Sequence, residues 1–221
     1  MSSAILLFSG GQDSTTCLYW AKRHFDKVYA IGFDYGQKHK IELEQASKIA
    51  ALANVDFDVI AVSNVFTGSS LLNGGDHNQA SVINRDLPAS FVAGRNLLFL
   101  SIAGSVAANR GAQDIVTGVC QTDFSGYPDC RRSTIDAMQL SLTLGLGIGD
   151  LRIHTPLMYL TKAETWKMAK DLGCFDIVVD YSLTDYNGSQ QKNEWGYGVM
   201  DNPATVLRAK GYYEAKQNGW L

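Results

Sequence analysis

The sequence predicts an α/β protein in which a five-stranded parallel sheet carries helices on both faces. Three observations predict this fold class. Short apolar segments alternate with segments of helical periodicity, which is typical of a parallel sheet covered on both sides. The first apolar segment, residues 5–8, passes through a glycine-rich turn directly into a helix. The length of 221 residues is enough for one such domain with a full core.

The elements follow one another in a regular order. The apolar segments predict strands at residues 5–8, 27–34, 57–62, 114–119 and 151–155. Apolar residues at helical spacing predict helices at about 12–25, 39–53, 96–109 and 133–144. A capping box of Thr161 and Glu164 predicts a further helix that ends near residue 172. A short helix is expected near residues 205–216.

One long segment interrupts this order. Between residues 63 and 90, Gly, Asn, Ser and Asp predominate, and such a loop is usually a lid, a binding loop or disordered. No linker composition marks a second large domain. We therefore expect a main domain at residues 1–180 and a small C-terminal extension at residues 181–221.

Composition excludes several classes of function. The formal net charge is −3 and the basic residues are scattered, so we expect no binding to nucleic acid. The four cysteines lie far apart without a CxxC pair, which predicts reduced thiols in a cytoplasmic protein. No signal peptide is recognised, and no apolar segment approaches the ~20 residues of a membrane helix.

The turn after the first strand has the chemistry of a phosphate site. Residues 9–15 read SGGQDST, so glycines and hydroxyls surround the start of a helix, where backbone N–H groups favour an anion. The loop is shorter than the GxxxxGK[ST] loop and carries no lysine. It contains Asp13 instead, and a carboxylate near phosphates is tolerable mainly when it holds Mg²⁺.

The polar loops of the chain should meet at one edge of the sheet. They follow strands one, two, four and five, at residues 9–15, 34–37, 121–132 and 161–164. Ligands of parallel α/β sheets bind beyond the carboxyl ends of the strands. This convergence would bring a nucleotide and a second substrate together.

Five stretches of the sequence resemble a known family. SGGQDS at 9–14 matches the SGGxDS signature of the PP-loop (N-type) ATP pyrophosphatases, which implies an adenine nucleotide alpha hydrolase-like, Rossmann-like fold. FDYGQ at 33–37, FVAGRN at 91–96, TGVCQTDFSGYPDCR at 117–131 and TPLM with KAET at 155–165 narrow the match. Together they resemble the 7-cyano-7-deazaguanine synthase (QueC) family, in register from about Ser3 to Gly211.

The resemblance implies a reaction. ATP activates the carboxylate of 7-carboxy-7-deazaguanine as an acyl-adenylate, ammonium supplies the nitrogen of an amide, and a second adenylation with dehydration gives the nitrile. A loop that grips the leaving pyrophosphate, with Mg²⁺ at Asp13, fits this chemistry. The substrate carboxylate is already ionised and needs no base.

The resemblance also implies site residues. The expected nucleotide-binding residues are Phe8, Ser9, Gly10, Gly11, Gln12, Asp13, Ser14, Thr15, Asp34, Tyr35 and Gln37. The expected substrate-binding residues are Arg95, Asn96, Thr122, Asp123, Tyr127, Asp129 and Arg131. The expected catalytic residues are Ser9, Asp13, Arg95 and Lys162.

Simpler interpretations of these residues stay open. Arg95 and Asn96 could form a helix-start ion pair and cap. Asp129 could stabilise a turn with Pro128 and Gly126, and Glu164 could serve the capping box alone.

The chain departs from the family pattern in its C-terminal extension. The family carries a structural zinc site between a TCYNG segment and an LRAxG helix. Here TDYNG at 184–188 and LRAKG at 207–211 are present, but the four cysteine positions hold Asp185, Val199, Asn202 and Thr205. Valine and threonine cannot replace thiolates in a tetrahedral site, so we predict no zinc.

Two other functions remain open from the sequence. A diverged relative could adenylate the same acid but stop at the amide or use another acceptor, and a non-catalytic nucleotide-binding module could have lost turnover. The aromatic C-terminal residues and the family likeness suggest a homodimer.

Overall fold

The computed structural model describes residues 1–37, 41–62, 65–66, 69, 72, 87, 89–121 and 127–221. In this part of the chain the strands are β1 (Ser3–Leu7), β2 (Lys27–Asp34), β3 (Asp56–Ala61), β4 (Asp114–Val116), β5 (Arg152–His154), β6 (Lys192–Asn193) and β7 (Gly196–Tyr197). The helices are α1 (Gln12–His24), α2 (Ile41–Leu52), α3 (Arg95–Arg110), α4 (Arg132–Leu146), α5 (Lys162–Asp171), α6 (Phe175–Tyr181) and α7 (Pro203–Gln217). A short 3₁₀ helix spans Pro128–Cys130.

The first five strands form one parallel sheet in the order β3-β2-β1-β4-β5. The predicted fold class is confirmed. The strand order reverses between β1 and β4, because β1 is followed in sequence by β2 on one side and pairs with β4 on the other. This reversal opens a crevice at the carboxyl ends of β1 and β4, which is where such sheets bind ligands.

Two apolar clusters cover the two faces of the sheet. One contains Leu6, Phe8 and Leu18 of β1, its loop and α1, together with Ile49 of α2. The other contains Ile5 of β1 with the apolar sides of α3 and α4. Successive residues of β1 therefore point to opposite faces, as the two-residue repeat of a strand requires, and both faces are buried.

The predicted element boundaries agree best where charged residues flank an apolar segment. β2 begins and ends at the predicted residues, and the Thr161–Glu164 capping box opens α5. β4 ends at Val116 rather than at residue 119, because Gly118 turns under the nucleotide loop: a Cβ there would lie 3.2 Å from the carbonyl carbon of Asp13. The predicted helix start at residue 39 and most of the predicted loop at 63–90 lie outside the described residues.

The C-terminal part of the chain contains elements that the sequence did not predict. Helix α6 and the β6–β7 hairpin are too short for a periodic signal. A third apolar cluster joins α5, α6 and α7 through Trp166, Val178 and Tyr212. It includes residues from both sides of the proposed boundary at residue 180, and that division stays a prediction.

The four positions that replace the family's zinc cysteines lie together in a hydrogen-bonded group, here called the C-terminal clasp (Asp185, Val199, Asn202 and Thr205). The Asp185 carboxylate accepts the backbone N–H of Val199 at 2.9 Å. The Thr205 hydroxyl donates to the Val199 carbonyl at 2.6 Å. The Asn202 side chain caps α7 by accepting the Thr205 N–H at 3.2 Å.

Within the described part of the chain, no helix combines the length and the apolar character needed to cross a membrane.

Candidate active site

A cavity of about 330 Å³ opens at the carboxyl ends of β1 and β4. Its floor is formed by residues 8, 9 and 11–14 of the loop after β1 and by residues 117–118. Its walls come from five other places: the loop after β2, the start of α2, the start of α3, the residue before the 3₁₀ helix, and the segment after α6. The wall residues used below are Tyr35, Glu42, Arg95, Asn96, Tyr127, Thr184 and Tyr186.

The loop that forms the floor is held open for a ligand. Gly10 has φ +78°, and a Cβ there would lie 2.8 Å from the backbone nitrogen of Ala46 in α2, so only glycine fits. The hydroxyls of Ser9 and Ser14 are 3.2 Å apart, and Ser14 Oγ donates to the Gly11 carbonyl at 3.2 Å. These contacts fix the loop from within and leave it facing the cavity.

Two polar side chains of this loop are buried without a partner. Gln12 is 1% exposed, and neither its amide nitrogen nor its amide oxygen makes a hydrogen bond to a described residue. The Thr15 hydroxyl is in the same state. Buried polar groups normally have partners, so an unpaired group beside a cavity is compatible with a site that accepts a polar ligand.

Lys162 and Asp13 form an ion pair at the edge of the loop. Lys162 Nζ lies 3.0 and 2.9 Å from the two carboxylate oxygens of Asp13. The lysine is the first residue of α5, which the capping box holds. Gly211 of α7 packs directly on it, and a Cβ at that glycine would lie 2.7 Å from Lys162 Cβ. The two residues predicted to act on Mg²⁺ and phosphate therefore contact each other, and their roles stay predictions.

A fully buried arginine lies behind the loop. Arg208 of α7 is 0% exposed, and its guanidinium donates to Trp195 O at 3.0 Å, Val178 O at 2.9 Å and Thr184 Oγ1 at 2.9 Å. Burial lowers its pKa to about 10, so the group is still charged at neutral pH. Thr184 in turn accepts the backbone N–H of Gln12 at 3.3 Å, which ties the loop to α7.

The wall opposite the loop places a cation among aromatic rings. Arg95 lies with its guanidinium carbon 5.8 Å from the centre of the Tyr35 ring. Burial alone would lower the pKa of this guanidinium, but Tyr35, Tyr186 and Asp129 outweigh burial and raise it. Arg95 is therefore a permanent positive charge in the cavity wall. It can pair with a carboxylate or a phosphate there.

Glu42 is a carboxylate in the same wall. Burial raises its pKa to about 7, and nearby Asp185 adds to the rise while Arg95 opposes it. No described residue makes a hydrogen bond or an ion pair to its carboxylate. At neutral pH it exchanges a proton readily, which makes it a candidate acid or base.

The remaining predicted residues divide into wall residues and supporting residues. Asn96 and Tyr127 line the cavity, and the Tyr127 hydroxyl pairs with Ser90 Oγ at 2.7 Å. Asp129 is 5% exposed and outside the lining; it accepts the backbone N–H of Asn96 at 3.1 Å and so caps α3 from a distance. This contact differs from the expected turn with Pro128 and Gly126, and the predicted substrate contact of Asp129 stays a prediction.

Several predicted residues lie beside the cavity or cannot be placed. Gln37 lines it and fixes the Tyr35 loop by accepting the Tyr35 N–H at 2.9 Å. The predicted residues outside the lining, besides Asp129, are Gly10, Thr15, Asp34, Arg131 and Lys162. Thr122 and Asp123 lie outside the described residues.

Sequence reasoning missed four residues of the site: Glu42, Thr184, Tyr186 and Arg208. Glu42 follows the recognised 33–37 motif by a few positions but carries no motif signal of its own. Thr184 and Tyr186 belong to TDYNG and Arg208 to LRAKG, the two segments that were used only to locate the zinc region. Because both segments match the family pattern, the sequence could have predicted that they contribute residues to the candidate site.

Comparisons with known proteins point to one family. The family model described as "Queuosine biosynthesis protein QueC" matches residues 3–216. A protein of Helicobacter pylori (strain Shi470) named 7-cyano-7-deazaguanine synthase is 46% identical over 220 residues, covering 96% of this chain and 95% of that one. A protein of the same name from Bacteroides fragilis (strain YCH46) is 48% identical over 225 residues, covering 98% of each.

A solved structure shares the fold. A predicted subunit of a tRNA methyltransferase from Methanocaldococcus jannaschii superposes with a TM-score of 0.50 at 18% identity, covering 77% of this chain and 76% of that chain. At this identity the likeness concerns the fold alone.

Proposed function

Because the chain belongs to the QueC family of queuosine biosynthesis proteins, we propose that it is an ATP-dependent ligase that converts 7-carboxy-7-deazaguanine and ammonium to 7-cyano-7-deazaguanine. The resemblance seen in the sequence motifs is thereby confirmed at the level of the family. The observation that carries the proposal is that the SGGQDS loop, Arg95 and Tyr186 line one and the same cavity. This arrangement can hold a triphosphate on one side and a planar anionic acid on the other.

The chemistry proposed for the loop is stabilisation of a leaving group. The substrate carboxylate attacks the α-phosphorus of ATP, the bond to the bridging oxygen breaks, and pyrophosphate leaves with the electron pair. Backbone N–H groups at the start of α1 face the leaving phosphates, and the hydroxyls of Ser9 and Ser14, which hydrogen-bond within the loop, hold this backbone in place. Lys162 supplies positive charge at the edge of the loop. Catalysis is positioning together with charge stabilisation.

Mg²⁺ is part of the proposal. The carboxylate of Asp13 is a hard oxygen ligand that borders the cavity, which fits an ion shared with phosphates. The ion would neutralise charge on the leaving pyrophosphate. Its arrival requires Lys162 to share Asp13 or to move from it to a phosphate oxygen.

The acid and the amine are assigned to the opposite wall. Arg95 pairs with the substrate carboxylate, and Tyr127 or Tyr186 packs on the planar base. Ammonium must lose a proton before its nitrogen attacks the acyl carbon, and Glu42 is the carboxylate of this wall that can accept it. As the C–N bond forms, the C–O bond to the adenylate breaks and AMP leaves.

Zinc has no part in the proposed function. The residues of the C-terminal clasp do not fit the ion: Val199 offers no ligand, and the oxygens of Asp185 and Asn202 already accept backbone N–H groups. The clasp takes over the anchoring of the tail.

The remaining proposals concern the state of the protein in the cell. We propose a cytoplasmic homodimer that binds no nucleic acid. Leu140 and Leu144, exposed at 60% and 74% and one turn apart on α4, offer apolar area for a second copy. Light scattering coupled to size exclusion tests the dimer.

One incubation tests the proposed activity. The protein is mixed with ATP, Mg²⁺, ammonium and 7-carboxy-7-deazaguanine, and the products are read by mass spectrometry. Nitrile together with AMP supports the proposal. Accumulation of the amide identifies the diverged relative instead, and AMP no higher than in the control without the acid overturns both. Metal analysis adds an independent check, because one tightly bound zinc per chain would contradict the assignment of the clasp.

A further inference from the structure

We infer that the hydroxyl of Thr184 donates a hydrogen bond to a phosphate group of the bound nucleotide, and that Arg208 is the positioning residue that orients it. The inference rests on the proposed use of ATP. It assigns a nucleotide-binding role to the segment after α6, which lies 172 residues from the loop in sequence. Neither residue belongs to the SGGQDS motif.

Counting the hydrogen bonds of the Thr184 hydroxyl gives the direction of its proton. The oxygen accepts two hydrogen bonds, from the backbone N–H of Gln12 at 3.3 Å and from Arg208 Nη1 at 2.9 Å. A hydroxyl has two acceptor lone pairs and one donor. Both acceptor positions are used, so the proton must point away from the two donors. No described residue accepts it, and Thr184 lines the cavity.

The hydroxyl lies where a phosphate of the nucleotide is expected. A Cβ on Gly11 would be 3.7 Å from Thr184 Oγ1, so the hydroxyl borders the bare backbone of the loop. The backbone N–H of Leu183 donates to the Gly10 carbonyl at 3.2 Å, which fixes the segment against the loop. An acceptor bound above Gly11 and Gln12 is therefore within reach of the Thr184 proton.

Arg208 gives this hydrogen bond its electrostatic support. Its guanidinium is fully buried, and no carboxylate of the described residues lies within ion-pair distance. Its partners are neutral oxygens: three carbonyls, of Val178, Ser182 and Trp195, and two hydroxyls. Burial lowers the pKa of the guanidinium, and the Asp13 carboxylate, beyond ion-pair distance, partly offsets this. A buried cation with so distant a counter-charge attracts a further anion nearby, and it strengthens the donor of any hydroxyl that accepts from it. The anion supplied by the proposed function is the triphosphate.

The position of the guanidinium is fixed by its surroundings. Gly196 in β7 has φ +107°, and a Cβ there would collide with Arg208 Nη2. The indole N–H of Trp166 donates to the Arg208 carbonyl at 3.1 Å. The arginine cannot swing toward the cavity to bind phosphate itself, so it acts through Thr184.

Equilibrium binding to two variants, one that removes the hydroxyl and one that keeps it, tests the inference. Isothermal titration with ATP and Mg²⁺, with pyrophosphate, and with adenosine is carried out on the wild type, Thr184→Val and Thr184→Ser. A hydrogen bond to a charged group is worth about 10- to 100-fold in affinity. We therefore expect Thr184→Val to raise the Kd of ATP and of pyrophosphate by about that factor, and Thr184→Ser to restore it. Adenosine, which has no phosphate, should bind all three proteins equally.

A matched control and the melting temperature separate binding from folding. Thr143→Val removes a hydroxyl from α4, away from the cavity, and should leave every Kd unchanged. If Thr184 serves only to hold Gln12 and Arg208, Thr184→Val lowers the melting temperature of the free protein but leaves the Kd of ATP unchanged, and the inference is overturned.

The outcomes distinguish this inference from the proposed function. A wild type that binds neither ATP nor pyrophosphate overturns the proposed function and the inference with it. If the wild type binds both ligands and Thr184→Val binds them with the same Kd, the inference alone is overturned.

Discussion

Replacing Gly211 by alanine should disturb the active site from the far side of helix α5. A Cβ at this position would lie 2.7 Å from Lys162 Cβ and 2.8 Å from the Lys162 carbonyl carbon. Ordinary contacts begin at 3.4 Å, so α7 and α5 would have to separate by at least 0.7 Å at this point. The same lysine holds Asp13 through hydrogen bonds of 2.9 and 3.0 Å, and these would break or move.

The size of the effect follows from two opposing terms. Overpacking a buried position lowers the free energy of unfolding by about 1–3 kcal/mol. The upper end of this range applies here because the Lys162 carbonyl carbon, a backbone atom, cannot rotate away from the new methyl group. Alanine stabilises a helix by about 1 kcal/mol relative to glycine, so the net decrease in the free energy of unfolding is about 2 kcal/mol. For a chain of this size the melting temperature should fall by about 4–8 °C. A displacement approaching 1 Å at a positioning residue should lower kcat/KM by about 10- to 100-fold.

The assay combines a thermal melt with the rate of AMP release. Gly145→Ala is the matched control, because this glycine is exposed in α4 and a Cβ there meets nothing within 4 Å. It should be neutral or stabilising by up to about 1 kcal/mol and fully active. A Gly211→Ala protein that melts with the wild type and releases AMP at its rate would refute the reasoning that packing of α7 positions Lys162.

Three further predictions concern the charges of the site and the clasp. The pKa of Glu42 is raised to about 7 in the folded protein from an unfolded value of about 4.3, so the wild type should lose stability relative to Glu42→Gln as the pH rises through this interval. Melting curves of the two proteins from pH 5 to pH 8 check this, and parallel curves would contradict it. Lys162→Met leaves the Asp13 carboxylate without its cation and should lower kcat/KM for ATP by about 100-fold or more, whereas Lys167→Met, in an exposed ion pair of the same helix, should have little effect. Asp185→Ala removes the acceptor of two backbone N–H groups and should lower the free energy of unfolding by about 2–4 kcal/mol. EDTA or phenanthroline should leave the melting temperature of the wild type unchanged. A lower melting temperature with either chelator would argue for a bound metal.

The sequence predicted the elements whose signals are local. β2 is a long apolar segment between Lys27 and Asp34, and its limits were predicted correctly. The capping box at the start of α5 needs only Thr161 and Glu164, three positions apart. The nucleotide loop was recognised because its chemistry is concentrated in consecutive residues.

The rest could not be predicted because it depends on contacts between distant segments. Arg208 carries no local sign that it will be buried, and its hydrogen bonds reach back to residues 178–195. The pKa of Glu42 is set by burial and by Arg95 and Asp185, which neighbour it only in the folded chain. The Asp129 carboxylate accepts the N–H of Asn96, 33 residues away, and this contact too joins segments that are distant in sequence.

The hydrogen bond between Thr184 and the nucleotide loop has a consequence for biosynthesis of the protein. During synthesis the loop leaves the ribosome before Thr184, which follows 172 residues after Gln12, and Arg208 and Gly211 follow later still. A nascent chain can form β1 and α1 early, but its nucleotide site gains its rear support only when α7 docks. Fragments that stop before α7 should therefore fail to retain ATP.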